Sequence, residues 1–252
     1  MKAARIIIGI GGLVLITAGC ELGNQPVYYG GDILLQEDFN DYQDWDQPDD
    51  WEFIDDFEAS NGPSSWFISN TWIDYYSMAL RQQSDIGGGG FGNSAYFGTV
   101  ALVGDESWTD YSFEVEFSTS DNDGIGFDFR RSDTQAGGKS YYRLMFMNDS
   151  LNGGPFIKLL YYSYMQGQTV VLAQKNDETY EPGVWNAVKI TVVGSSIRCD
   201  FNGSTIFNIT DSRLTHGRIG LFCFCEYGID FDNVLVTALD EGSPTNGNSL
   251  VD

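Results

Sequence analysis

Basic side chains are scarce in this chain of 252 residues: 13 Lys and Arg stand against 36 Asp and Glu, with one His, for a net charge of −23. A surface of that sign repels phosphate backbones and anionic lipid headgroups, which excludes nucleic acid as a partner and leaves cations and neutral ligands. The single histidine, His216, has no G-x-S-x-G sequence to serve, so Ser/His/Asp catalysis has no motif to rest on. The glycine run 87–90 is followed by neither Lys-Ser/Thr nor a helix pattern, which removes a phosphate-cradling loop. After the N-terminal segment no helix-length amphipathic window occurs, no internal repeat is apparent, and the strict EF-hand pattern is missing.

What the chain does have is aromatic residues (15%) and 30 glycines, a mixture that favours strands and tight turns. The length suits one large all-β domain. The clearest strand is "YSFEVEF", in which Tyr111, Phe113, Val115 and Phe117 alternate with Ser112, Glu114 and Glu116. "GIGFDFRR" follows, and the period of 2 predicts a hairpin through Asn122-Asp123-Gly124, with Gly124 left-handed and Glu116 opposite Arg130. Further strands are "YYRLMF", "PFIKLLYYSY", "TVVLAQ", "WNAVKITVV", "SIRCDF", "TIFNIT", "RIGLFCFC" and "DFDNVLVT", with short hairpin signals at Gly194-Ser195 and Asn202-Gly203. In "RIGLFCFC" both faces are apolar, which puts the strand in the core with Cys223 and Cys225 side by side. Two thiolates do not complete a tetrahedral zinc site, and the only further donors would be Cys199 and His216.

The N-terminus reads as a secretory signal. Lys2 and Arg5 precede an apolar run from Ile6 to Ile16, too short to span a bilayer, which closes with "TAGC" at Thr17 to Cys20. That ending resembles the lipobox of bacterial lipoproteins, with Thr17 where that family usually has Leu. The resemblance implies lipidation of Cys20, an anchor without a spanning helix and, with Glu21 next, the outer membrane of a Gram-negative cell envelope. The expected organisation is a signal peptide over 1–19, a tether over 20–32, a β-domain over 33–239 and a disordered tail over 240–252.

Taken in order, "DNDGIGFDFRRSD", "YYRLMF", "YEPGVWNAVKITVVGSSIRCDFNGSTIF" and "DSRLTHGRIGLFCFCEYGIDFDNVLV" resemble the concanavalin A-like lectin/glucanase superfamily. The closest look is to thrombospondin C-terminal L-type lectin-like domains and related bacterial extracellular domains, over about Trp66 to Val236. The resemblance implies an all-β, antiparallel jelly-roll sandwich. It also implies that the closing strand lies near the first one, with an ion between them. Asp230 and Asp232, taken to share a face with Val234 and Val236, then become candidate Ca²⁺ ligands with Glu37, Asp38 and Asn40. The tip Asp121-Asn122-Asp123 is a second candidate, with Asp121 and Asp123 as its carboxylates. Cys199 either pairs with Cys223 or Cys225 or all three stay buried and free. The block Glu37 to Glu58 carries eleven carboxylates and no base, with Trp45, Trp51, Phe53 and Phe57 among them.

Glycoside hydrolases of this fold carry E-x-D-x-(x)-E on one strand, which is absent here. Glu114 and Glu116 sit ~7 Å apart on one face, but a third acid is lacking and the expected Arg130 partner opposes a general-acid role. The chain therefore reads as a non-catalytic binding module. Sugars stack on aromatic rings beside polar groups, and Trp72, Tyr75, Tyr76, Tyr141, Arg143, Tyr162 and Tyr164 are the candidates. The partner is carbohydrate or, alternatively, a cell-surface protein.

Overall fold

The computed structural model describes residues 29–56, 59–71, 77–88, 97–133 and 138–240. Among the described residues, alternating apolar positions form fifteen strands in two antiparallel sheets. The eight-stranded sheet runs β13 (Ser204–Thr210), β12 (Ser196–Phe201), β11 (Asn186–Val193), β6 (Tyr111–Thr119), β15 (Tyr227–Asp240), β4 (Met78–Gln83), β3 (Trp66–Asn70). β1 (Tyr29–Glu37) pairs with the second half of β15, beyond the part that pairs with β4. The seven-stranded sheet runs β10 (Gln168–Asn176), β9 (Phe156–Ser163), β8 (Lys139–Met147), β7 (Gly124–Asp133), β14 (Arg218–Phe224), β5 (Thr99–Val103), β2 (Glu52–Asp55). The helical element among the described residues is one 3₁₀ turn, Ser150–Asn152.

The inner faces meet in an aromatic core, as in a sandwich whose sheets pack ~10 Å apart. Phe127 of one sheet lies against Phe113, Phe117 and Phe231 of the other, with ring centroids 6.4, 5.5 and 6.3 Å away. These contacts correct the predicted hairpin. β6 and β7 belong to different sheets, so residues between them cross the sandwich, and Gly124 opens β7 without a left-handed backbone. Both strands carry their aromatics inward, and the two apolar faces bury each other by stacking instead of by pairing edge to edge. Arg130 accordingly does not face Glu116. Its guanidinium donates to the carbonyls of Thr109, Gly194 and Leu214 and to Asp110.

The two short hairpins form as expected. Asn202 (φ 47°) and Gly203 (φ 77°) both adopt the left-handed backbone of a type I′ turn, and Gly194 has φ 52°. A Cβ on Gly203 would meet nothing within 4 Å, so Gly203→Ala isolates the backbone effect. The variant is expected to lose about 1 kcal/mol of stability in urea titration, and an unchanged midpoint would show that this turn tolerates a side chain.

The cysteines among the described residues, Cys199, Cys223 and Cys225, are free thiols, and no disulfide joins Cys199 to Cys223 or Cys225. Cys199 and Cys223 are buried in the main core on opposite sheets, and burial raises both thiol pKa values well above the ordinary range. Cys225 is not beside Cys223 on one face. Its φ of 53° ends the alternation of β14 and turns it toward a second apolar cluster on the outer side of the seven-stranded sheet. That cluster contains Val100, Met145, Met147, Phe156, Leu160, Phe222 and Phe224, so part of this sheet's outer face is buried and apolar as well.

Candidate functional site

β15 carries a bulge whose extra residue is Asn233, at φ 53°; the register with β6 shifts between Asp232 and Leu235. Before it, Ile229 and Phe231 point into the core and Asp230 and Asp232 point out; after it, Val234 and Val236 point in. The two aspartates therefore do not share a face with Val234 and Val236, which corrects the unbroken alternation assumed from the sequence. A cross-strand row results on the outer face of the eight-stranded sheet, with Asp232 opposite Glu116 and Leu235 opposite Glu114, which faces Lys189 and then Asp200.

Here an open groove of about 600 Å³ is lined by Gln36, Glu37, Asp38, Glu114, Glu116, Lys189, Arg198, Asp200 and Asn233, among others. Its side chains are held in place by one another. Lys189 Nζ bonds Glu114 Oε1 at 2.8 Å, Asn233 Nδ2 donates to Glu116 Oε2 at 2.8 Å, and Arg198 clasps Asp200 at 2.9–3.0 Å. Exposed pairs of this kind contribute little stability, and they leave lone pairs and N–H groups for a polyhydroxylated ligand. Buried Asp232 borders the groove, accepting from its neighbour Asn233 N at 2.7 Å and from Ser77 Oγ at 3.5 Å. Burial, reinforced by Glu116 and Asp38, pushes its pKa up to about 6.

The predicted cation ligands divide. Asp38 and Asp232 lie close enough to feel one another's charge, and Asn40 Oδ1 accepts from Met78 N, next to Ser77. Asp230 does not join them, because Arg81 grips both of its oxygens at 2.7 and 2.9 Å in a buried ion pair. Its partner is a guanidinium and not a metal ion. At the end of the sandwich Asp121 accepts from Tyr227 N at 2.9 Å, and burial with Asp121, Asp149 and Asp85 nearby raises Asp123 to about 7. Buried Glu226 lies against the same group, accepts from Thr119 Oγ1, and is raised to about 8 by burial. Among the described residues no three His, Cys, Asp or Glu side chains are grouped so as to hold a metal ion.

The predicted ligand-binding residues Tyr141, Arg143 and Tyr162 do share the outer face of the seven-stranded sheet, and the two tyrosines are cross-strand partners stacked at 4.9 Å. All three are buried, which corrects their expected exposure. Arg143 bonds both oxygens of Asp128 at 2.5 and 2.9 Å, and Arg131 adds a third contact to that carboxylate at 2.9 Å. Tyr164 is half exposed but lies past the end of β9. Trp72, Tyr75, Tyr76 and Cys20 lie outside the described residues.

The groove residues Lys189, Arg198 and Asn233 were not singled out by the sequence, because their strands offer only ordinary polar alternation. Asp128 did leave a signal: an acid between Phe127 and Phe129, in the apolar part of its strand and followed by two arginines.

Residues 36–237 match the model of a family described as "3-keto-alpha-glucoside-1,2-lyase-like domain". No curated protein matches the chain. Among solved structures, it is similar to a Bacillus subtilis protein of unknown function with a galectin-like fold, at 11% identity over 86% of this chain and 100% of that one, TM-score 0.57. It is also similar to domain 4 of AbnA, an extracellular arabinanase from Geobacillus stearothermophilus, in complex with arabinotriose: 10% identity, 83% and 94% coverage, TM-score 0.53. Cellulose induced protein Cip1 is a third, at 12% identity, 80% and 96% coverage, TM-score 0.53. Identities this low show the shared sandwich alone, and they agree with the jelly-roll, concanavalin A-like fold that the resemblance implied.

Proposed function

We propose a carbohydrate-recognition function from one premise: the chain belongs to the 3-keto-alpha-glucoside-1,2-lyase-like domain family. The observation that carries the reading to a site is the open groove on the eight-stranded sheet, where Glu114, Glu116, Lys189, Arg198 and Asn233 present donors and acceptors to solvent in a fixed arrangement. Preorganised, solvent-facing hydrogen-bonding groups recognise hydroxyls at low entropic cost. The arabinotriose complex of a domain sharing this fold supports sugar as the class of ligand. The sequence from Lys2 to Cys20 supports a lipid-anchored protein of the cell envelope.

The test is a glycan array with the wild-type chain and with Lys189→Ala and Glu116→Ala, run in calcium and again in chelator. Lys189 is exposed and Glu116 half-buried on the outer face, and both substitutions should leave the melting temperature nearly unchanged. Each is expected to weaken binding of the recognised glycan about tenfold, in line with the loss of one or two hydrogen bonds to a ligand. Undiminished binding in both variants would remove the groove as the site. Loss in chelator alone would place a cation in recognition.

A second reading, lyase chemistry at the edge of the groove, is favoured by Asp232, which lies cross-strand from Glu116 and whose carboxyl pKa burial raises to about 6, since a carboxyl brought toward neutral pH can both hold and release a proton. Turnover of a 3-keto-glucoside that Asp232→Asn abolishes, with binding retained, would establish it.

A further inference from the structure

Trp45 is 69% exposed, although it is among the largest apolar side chains in the molecule. It is also a bulky residue at positive φ (73°), where an L-side chain crowds its own backbone. Neither exposure nor strain helps the fold, yet Trp45 is held firmly. Its N–H donates to Ile68 O at 2.7 Å, Ile68 N donates to Asp46 O at 2.8 Å, and Gln47 Nε2 donates to Trp66 O at 2.8 Å, which fastens the loop to edge strand β3. The indole lies flat on Phe67, 4.3 Å between centroids and 14° between planes. One face of the ring is thus fixed, and the ring as a whole stands in solvent.

Phe67 sits on the outer face of the eight-stranded sheet, in the row Phe67, Arg81, Asp230, Ser118 that adjoins the row of Asp232 and Glu116. Two strand intervals and two residues along the strand separate Phe67 from Asp232, or ~12 Å. That span exceeds one sugar ring. Exposed Asp41, Asp44 and Asp46 flank Trp45, so the platform offers hydroxyl acceptors and repels anions.

We propose that Trp45 is an aromatic subsite extending the groove, so that the ligand is an uncharged oligosaccharide with one ring stacked on the indole. The inference rests on the carbohydrate reading of the groove. A flat, preorganised indole matches the C–H face of a pyranose, and the surrounding carboxylates disfavour uronic or sulfated chains.

The experiment measures affinity of the full chain for neutral gluco- and arabino-oligosaccharides of increasing length, by titration calorimetry and by tryptophan fluorescence, with Trp45→Ala and Trp45→Phe beside wild type. Wild-type affinity is expected to rise with length. Trp45→Ala should lose about tenfold for the longer chains and nothing for the shortest, while Trp45→Phe retains most of the gain. A length dependence that survives Trp45→Ala unaltered overturns the subsite and leaves the groove reading standing. Absence of sugar binding at every length to folded wild-type protein overturns the groove reading and this inference with it. Fluorescence quenching by lysine-rich peptides in place of sugars would mark Trp45 as a cation-binding ring and overturn the sugar assignment.

Discussion

Replacing Asp128 by alanine is expected to lower the free energy of unfolding by ~3–5 kcal/mol, a large share of the stability of an ordinary domain. The carboxylate is fully buried and bonds two guanidinium groups, Arg131 and Arg143, which are themselves buried. Burial opposes both arginine charges, yet Asp128 and their other acidic neighbours hold both pKa values above the usual one. Without Asp128, two cations remain in a dry environment, one resting on the Tyr141 and Phe222 rings and the other with Asp133 at 3.3 Å. Asp128→Asn should also lose most of this stability, because it keeps the shape and removes the charge. Chemical denaturation of both variants provides the check; a loss below ~1 kcal/mol in Asp128→Ala would mean that water reaches the arginines and that the network is not dry.

Stability should fall as pH rises from about 5 to about 8, opposite to the behaviour of a domain held by ionised carboxylates. The cause is Glu226, whose pKa is pushed from 4.5 to about 8 in the folded chain, first by burial and then by Asp121 and Asp123. Below 4.5 both folded and unfolded states hold the proton and nothing is lost. Between 4.5 and 8 the unfolded chain has released it while the folded chain retains it, so folding takes up a proton and weakens as protons become scarce. Above 8 the loss levels off, having reached on the order of 3–5 kcal/mol. Asp123, raised to about 7 by burial and Asp121, adds a loss of the same sign over a lower window. Urea midpoints across this range should decline for wild type; in Glu226→Gln, which keeps a neutral side chain of the same shape, the decline should be shallower and should stop near pH 7, leaving the lower-window losses of Asp123 and Asp232. A Glu226→Gln profile that falls as steeply as wild type would assign the titration to other groups.

Strand positions from Tyr111 to Val236 were legible because period-2 alternation survives in each. What each strand pairs with was not. β6 and β7 have the same grammar whether they form a hairpin or an arch between sheets, and contacts across the sandwich such as Phe117 against Phe127 decide it. Single residues that break parity were equally silent: Cys225 and Asn233 adopt positive φ without being glycine, and each reverses the side on which its neighbours lie. Asn233 thereby separates the aspartates from the core and helps form the groove, so the error over Asp230 and the oversight of the site have one origin. Tyr141, Arg143 and Tyr162 do lie on one face, as period-2 strands and their cross-strand pairing require. Whether a sheet face is covered depends on distant segments of chain, which no local pattern reports. Trp45 was visible only as one aromatic in an acidic block, because exposure is a property of the loop's attachment to β3 and not of its composition.

The pairing of β1 with β15 sets an order in time. Leu35 lies beside Val236, so the first strand of the described chain has its hydrogen-bonding partner at the far end of the sequence. A ribosome delivers residues one after another, and throughout that interval β1 waits with an open edge while the middle strands collect. β15 is also the strand to which β6 and β4 attach, so the eight-stranded sheet cannot close until the last stretch has emerged. Closure of this sheet thus waits for β15, and a copy cut before Tyr227 offers unpaired strands to its neighbours.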